Sequence, residues 1–275
     1  MRGPRQGGFT LVELVVAITV ASVVLAFAAT FLVAPINAYE TEARRAAVVD
    51  EAAASWPVIE ADLRRALPNS LRARRNGPFV AMELLRVVDF SRYMSKPLVS
   101  PFNVAGVFRG VAVPFDRNDH YLSVNNCGPP LCPDAYSLAG SMTPALTRIQ
   151  IANGAADEQS VTVTPAPAFV ADSPRRTMYL VSGPVTYLCD ETRGTLRRYE
   201  NYPVAAAQTS WDSPGEFTLA GFNGELMATG LTSCDFNAAP FSDTVPQTAS
   251  LRMTATRNTG ESITMFNNSG SGWLP

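Results

Sequence analysis

The beginning of the chain shows almost no alternation between apolar and polar positions. Residues 9–34 form a run of 26 residues that contains one charged side chain, Glu13, and no glycine or proline. A helix of this length measures about 39 Å, and the hydrocarbon core of a bilayer is roughly 30 Å thick. The pattern therefore predicts an apolar helix that is long enough to span a membrane.

Beyond Pro35, apolar residues recur at every third or fourth position, as on one face of a helix. We expect Pro35 to kink or locally unwind the helix, and Pro57 to remove another backbone donor at a cost that packing must offset. The charged residues of this stretch, Asp62 among them, lie largely off the apolar stripe, and residues 67–70 should end the helix. The stripe itself consists of Val48, Ala52, Trp56, Ile59, Leu63 and Leu67.

After residue 70, short runs rich in β-branched or aromatic residues predict strands. These runs are residues 79–90, 146–152, 160–164, 177–181, 185–189, 195–199, 251–256 and 262–266. Turn sequences at 190–194 and 257–260 predict two hairpins. Stretches rich in proline and glycine, at 95–145, 165–176 and 201–222, predict long surface loops with a binding or packing role. A long helix followed by many strands indicates the α+β class.

The composition argues against several classes of function. The 275 residues are 47% apolar and carry a formal charge of −2, so no global positive field attracts nucleic acid. A single histidine, His120, argues against histidine-dependent catalysis and most zinc chemistry. Common phosphate-binding, hydrolase and metalloprotease motifs are absent from the sequence. We therefore expect a protein that is not an enzyme and that holds no cofactor or metal.

The apolar run has three interpretations: a secretory signal peptide, a plain membrane anchor, or a segment that leaves the membrane for an assembly. The small residues at 26–28 favour a signal peptide, but the run exceeds the usual 7–15 apolar residues. Glu13 also carries a penalty in a membrane and needs a reason. Arg2 and Arg5 precede the span, whereas acidic residues dilute the arginines after it, so the N-terminus should be cytoplasmic.

The sequence around Glu13 supplies that reason by resemblance. A short basic leader ends in Gly8, Phe9 follows, and Glu13 is the fifth residue after the leader. This arrangement resembles the processing site of type IV prepilins and type II secretion pseudopilins. The resemblance implies cleavage between Gly8 and Phe9 by a prepilin peptidase, methylation of the new N-terminal amine of Phe9, and a role for Glu13 in assembly. An interfacial glutamate on an ordinary anchor is the alternative.

Three later segments, residues 44–70, 179–187 and 260–264, resemble the MshO group of minor pilins of the mannose-sensitive haemagglutinin (MSHA) pilus. The resemblance implies a long N-terminal helix on an antiparallel sheet, divided into a leader (1–8), an apolar helix (9–34) and a head (35–275). It further implies inner-membrane storage, then a place in a surface pilus with major and other minor pilins, supported by inner-membrane assembly machinery. A type II secretion pseudopilin and a membrane-anchored adhesin are the alternatives.

All four cysteines lie in the predicted head, where an oxidising compartment favours disulfides. The natural pairing is Cys127 with Cys132 and Cys189 with Cys234, although four cysteines allow three connectivities. The acidic pairs at 157–158 and 190–191 are expected to be solvated turn residues, because adjacent carboxylates on a turn rarely converge on one ion.

Overall fold

The computed structural model describes residues 10–94, 100–105, 108–126, 134–138, 140–154, 158–239, 247–256 and 262–270. The chain divides into two compact units, Met1–Asp50 and Glu51–Pro275. The first unit is helical where it is described. The second unit contains the end of that helix and all the described strands.

The long helix α1 (Leu11–Arg64) is one uninterrupted element of 54 residues. It runs through Pro35, so the expected local unwinding is not observed. A proline removes one backbone hydrogen bond, and the intact turns on both sides hold the helical path. At Pro57 the buried side chains of Ile59 and Leu63, each 1% exposed, supply the packing that offsets the loss.

Helix α1 ends at Arg64, a few residues before the expected position. The backbone of the next residues is captured by strand β2 (Phe79–Tyr93). The Leu67 amide donates to the Leu85 carbonyl and the Val87 amide donates to the Arg65 carbonyl, each at 2.7 Å. Pairing with the sheet at this point competes with a further helical turn, and it joins α1 directly to the centre of the second unit.

The described strands form a ten-stranded and a three-stranded antiparallel sheet. In addition to β2, the larger sheet contains β1 (Arg72–Asn76), β3 (Phe102–Ala105), β4 (Phe115–Arg117), β5 (Tyr121–Val124), β6 (Arg148–Asn153), β7 (Glu158–Thr164), β8 (Thr177–Asp190), β9 (Thr195–Glu200) and β10 (Glu225–Thr229). Its main path runs β10-β9-β8-β2-β3-β7-β6-β4, while β1 pairs with β2 and β5 with β8. The smaller sheet has the order β11 (Leu231–Ala238), β12 (Thr248–Thr256) and β13 (Ser262–Gly270).

Strand β8 replaces the two strands expected at 177–181 and 185–189. Gly183 adopts a φ of +128°, which side-chain-bearing residues rarely adopt, and lets the chain pass the interruption before Pro184. Irregular pairing with β2 around Val87 absorbs the distortion. The predicted break is therefore a bulge inside one strand.

The stretch 95–145, expected to be irregular, contains three strands, β3 to β5, and a short 3₁₀ helix at Ala135–Ser137. These strands have three or four residues each, too few to show a clear alternation in sequence. Within 201–222 the structure adds a 3₁₀ turn at Gln208–Ser210 and a short helix α2 (Pro214–Leu219). The capping box of Ser213 and Glu216 initiates α2.

Several contacts between distant residues fasten the smaller sheet to the larger one. Cys189 and Cys234 form a disulfide between β8 and β11, the pairing that the sequence favoured. The Gln247 side chain hydrogen-bonds to the Leu71 backbone as a neighbouring strand would. Its Oε1 accepts from the Leu71 backbone amide at 2.9 Å, and its Nε2 donates to the Leu71 carbonyl at 2.7 Å. The hairpin predicted at 257–260 has its turn outside the described residues, and the strands beside it pair antiparallel.

Candidate functional site

The first candidate site is the apolar beginning of α1. Residues Leu11–Ala29 have a mean hydropathy of 2.6, and none of this stretch is buried. Large side chains such as Leu11 and Phe27 are 80% and 62% exposed. Among the described residues this is the one helix long and apolar enough to cross a membrane. Such a surface needs lipid or partner side chains to cover it.

Glu13 lies in the first turn of α1. Its backbone amide donates to the Thr10 hydroxyl at 3.2 Å, which is the amino-terminal half of a capping box. The partial positive charge of the helix N-terminus favours a carboxylate at this position. Within the described part of the chain, the Glu13 carboxylate has no ion-pair partner. A cation from outside that part is required if this end of the helix is taken out of water.

The other polar side chains described in the apolar stretch form hydrogen bonds within their own helix. The Thr19 hydroxyl donates to the carbonyls of Val15 and Val16 at 3.0 and 2.9 Å, and the Ser22 hydroxyl donates to Thr19. Such bonds to the preceding turn let a hydroxyl enter an apolar environment without a partner from another helix. Glu13 is thus the residue of this stretch whose burial depends most on a neighbour.

A second candidate site lies where the end of α1 meets the larger sheet. Asp62 is buried, with 6% exposure, in contrast to its expected position off the packed face. Its Oδ2 accepts hydrogen bonds from the Tyr187 hydroxyl and from Nε of Arg198, both at 2.7 Å. Arg198 is itself 8% exposed and forms a further ion pair with Glu200 at 3.0 Å. We call these four residues the helix lock.

The helix lock raises the pKa values of two of its members, Tyr187 and Arg198. Burial, followed by the charge of Asp62, raises the pKa of the Tyr187 hydroxyl well above its usual value. Burial alone would lower the pKa of Arg198, but the hydrogen bond and the charge of Asp62 outweigh it and raise that pKa. Tyr187 therefore remains a donor and Arg198 remains a cation. The helix lock thus joins the end of α1 to β8 and β9 through charge-assisted hydrogen bonds.

A third polar cluster is buried under β1. Glu83 is 0% exposed, and its carboxylate accepts from Nε of Arg72 at 2.8 Å and from the Tyr202 hydroxyl at 3.1 Å. The Arg72 guanidinium also lies 3.5 Å from the Tyr136 ring centroid. Burial raises the pKa of the Glu83 carboxyl. The paired partners indicate a structural role: the cluster fixes β1 to the residues after β9.

Several sequence candidates are now placed. The Asp190 carboxylate accepts from the backbone amides of its own hairpin turn. Glu191 pairs with Arg75 at 2.9 Å and accepts from the Cys234 amide at 3.0 Å, so it ties the hairpin to β11. Burial raises the pKa of the Glu191 carboxyl, but the bonds from Arg75 and Cys234 outweigh burial and leave that pKa below its usual value. Asp190 and Glu191 were expected to be solvated turn residues, but both carboxylates have partners within the protein.

His120 is partly buried, with 20% of its side chain exposed, and pairs with Asp119 at 2.7 Å. Its ring packs edge-to-face on Phe115. No group of three or more histidine, cysteine or acidic side chains that could hold a metal occurs among the described residues. Gly8 and Phe9, the leader 1–8, and both Cys127 and Cys132 lie outside them. The sequence missed the helix lock, for which the signal was an acidic residue beside the buried Leu63.

Residues 3–29 match the family model described as the prokaryotic N-terminal methylation motif. The match covers Gly8, Phe9 and Glu13 and most of the apolar stretch. It indicates a precursor of the type IV pilin or pseudopilin kind and is consistent with the α+β architecture. A methylation motif of this kind implies processing by a prepilin peptidase, and the single apolar helix suits anchoring in the inner membrane. No curated protein and no solved structure matches the chain.

Proposed function

We propose that the chain is a minor pilin, a structural subunit of an MSHA-like type IV pilus. One observation carries the proposal: the methylation motif at 3–29 includes an exposed apolar stretch of helix whose first turn holds a carboxylate. A signal peptide needs no carboxylate there, and a plain anchor needs no methylation motif. The resemblance of residues 44–70, 179–187 and 260–264 to the MshO group supports the finer assignment.

In this proposal the peptidase cuts between Gly8 and Phe9, and the amine of Phe9 is methylated. The helix is first covered by lipid and later by the helices of neighbouring subunits. Removing two charges from water is unfavourable unless they meet, so the Glu13 carboxylate pairs with the N-terminal ammonium of a neighbour. In this proposal the subunit is not an enzyme, because its role in the filament is structural.

The domain division follows from this function, with a leader at 1–8, an apolar helix at 9–34 and a head at 35–275. The head is carried to the cell surface, where it contributes to adhesion, and its partners are the major and other minor pilins and the inner-membrane assembly machinery. Within this head, the helix lock fixes the end of α1 to the larger sheet. Cys127 and Cys132 complete the disulfides of the head in this proposal.

Processing is tested first. Mass spectrometry of the N-terminal peptide should find a methylated Phe9 as the first residue. Gly8→Leu should leave the precursor uncut, because the peptidase requires a small residue before the bond. An intact Met1, or a start after Ala28, would refute the assignment.

Assembly is tested with Glu13→Val, measured as the ratio of subunit in sheared pili to subunit in the membrane. Losing one partner of a buried pair costs about 3–5 kcal/mol, so the ratio should fall at least tenfold. Thr19→Val is the matched control in the same stretch, because the Thr19 hydroxyl bonds only to its own helix. Equal incorporation of Glu13→Val and the wild type would refute the charge pairing.

The same experiment separates the pilus from a secretion system. A minor pilin is found in sheared pili, and its deletion reduces piliation. If the subunit is missing from sheared pili and its deletion blocks protein secretion, the type II secretion pseudopilin replaces our proposal.

A further inference from the structure

A pocket of about 310 Å³ lies on one face of the larger sheet, over the neighbouring strands β8 and β9. Along β9, Arg198 faces the helix lock, so the alternate residues Thr195, Arg197 and Tyr199 face the other side of the sheet. All three line the pocket. The opposite wall is formed by α2 and by the loop that leads to β10. The volume is at the lower end of the range for small-molecule sites and suits one sugar-sized unit.

The polar groups of the pocket are mainly donors. Arg197 uses one guanidinium nitrogen to donate to the Gly224 carbonyl at 2.8 Å, which leaves its other N–H groups without a partner among the described residues. Arg193 is 72% exposed and makes one long contact, 3.3 Å, with Asp190. The Asp190 carboxylate is occupied by the amides of Thr192 and Arg193. The pocket therefore offers two cations against one satisfied carboxylate.

Neutral and aromatic groups accompany the arginines. The side chains of Thr195 and Asn223 line the pocket and have no hydrogen-bond partner among the described residues. Burial raises the pKa of the Tyr199 hydroxyl, so this group is a donor as well. Phe222 adds an apolar surface. A simple anion would use only the cations, whereas a hydroxylated ring would use all these groups.

The pocket is held in shape before any ligand arrives. The Tyr199 ring stacks on Phe217 with ring centroids 3.9 Å apart. Gly224 approaches so closely that an added Cβ would lie 2.6 Å from the Tyr199 ring. Both walls are thus fixed to the strand that carries Arg197, so the exposed side chain of Arg193 is the main group that binding has to order.

We propose that this pocket binds an acidic sugar unit, a hydroxylated ring that bears one carboxylate, as in an acidic polysaccharide. The carboxylate pairs with Arg193 and Arg197, the ring hydroxyls accept from Thr195 and Asn223, and the ring face rests on Phe222. This inference concerns the head alone and does not depend on the processing or incorporation of the N-terminal helix.

Binding is measured on the full-length chain in detergent micelles by saturation-transfer NMR, with sodium D-glucuronate as the probe. We expect saturable binding of D-glucuronate and much weaker binding of D-glucose, which has the same ring without the charge. Acetate at the same concentration should not displace D-glucuronate. Equal binding of glucose, full displacement by acetate, or an absence of saturable binding would each overturn the proposal.

Two variants locate the site. Arg197→Gln and Arg193→Gln should each weaken D-glucuronate binding about tenfold, the value of one lost charge-assisted hydrogen bond. Arg193→Gln is informative even if Arg197→Gln disturbs the loop at Gly224, because the Arg193 side chain is mostly exposed. Arg117→Gln, an exposed arginine of β4, is the matched control and should bind as the wild type does. An equal loss in Arg117→Gln would show a general charge effect and overturn the proposal.

Discussion

Replacing Asp62 by alanine should destabilise the second unit through a single buried carboxylate. The substitution removes the acceptor shared by Tyr187 and Arg198, both at 2.7 Å. Arg198 is 8% exposed and cannot move into water without opening the contact between α1 and the sheet. The variant therefore leaves the buried Arg198 guanidinium with Glu200 as its remaining acidic partner among the described residues.

The loss of unfolding free energy depends on the ion pair that Arg198 keeps in the variant. Breaking a buried ion pair by removing one partner costs about 3–5 kcal/mol. Arg198 keeps its ion pair with Glu200 at 3.0 Å, so the lower end of this range applies, about 3 kcal/mol. For a unit of this size each kcal/mol lowers Tm by about 2–4 °C, which gives a fall of about 6–12 °C.

The assay is thermal unfolding of the full processed chain in detergent, followed by near-ultraviolet circular dichroism. Glu60→Ala is the matched control on the same helix, because Glu60 and Arg64 form an exposed ion pair at 2.6 Å with side chains 41% and 73% exposed. Such a pair contributes about 0.3–0.5 kcal/mol. If Asp62→Ala and Glu60→Ala lower Tm equally, the helix lock does not hold α1 and our reasoning is wrong.

Cys234→Ser, which breaks the bond to Cys189 across a separation of 45 residues, should lower the free energy of unfolding by about 4 kcal/mol in chemical denaturation. The lowered pKa of Glu191 gives a contribution to stability that is complete above its ordinary value of 4.5 and is lost as the pH falls through the folded-state pKa. Glu191→Gln should therefore flatten the rise of unfolding free energy with pH in that window, and an unchanged slope would contradict this. Gly224→Ala should cost about 1–3 kcal/mol, because its Cβ would lie 2.6 Å from the Tyr199 ring; wild-type stability would show that the ring can move.

Features that one stretch of sequence encodes were predicted well. The apolar run was predicted from its length and lack of charge, the stripe through Ile59 and Leu63 from its helical period, and the strands near 79–90 and 195–199 from their β-branched and aromatic residues. The hairpin after Asp190 was predicted from its turn residues. These features are local, and local propensity and tertiary packing agree in them.

The missed features depend on contacts between distant residues. Strand β1 has the sequence RARRN, which has no strand pattern and becomes a strand because β2 pairs with it. Asp62 was expected off the packed face, but it is buried because Tyr187 and Arg198 donate hydrogen bonds to its carboxylate. These partners lie more than a hundred residues later in the sequence, so the residues around Asp62 do not reveal them. The pocket at Arg197 is formed by three separate elements. No single window of sequence contains such information.

The contacts that fix the end of α1 and the start of β1 join residues that are far apart in sequence, so they form late during synthesis. Tyr187 is 125 residues beyond Asp62, and Gln247 is 176 residues beyond Leu71. Because the chain is synthesised from its N-terminus, the end of α1 and strand β2 exist long before β8 is available to pair with them. Contacts of such long range form slowly, because the intervening chain must close a large loop. We expect the second unit to stay incompletely folded, with exposed apolar surface that favours aggregation, until the last third of the chain has been synthesised.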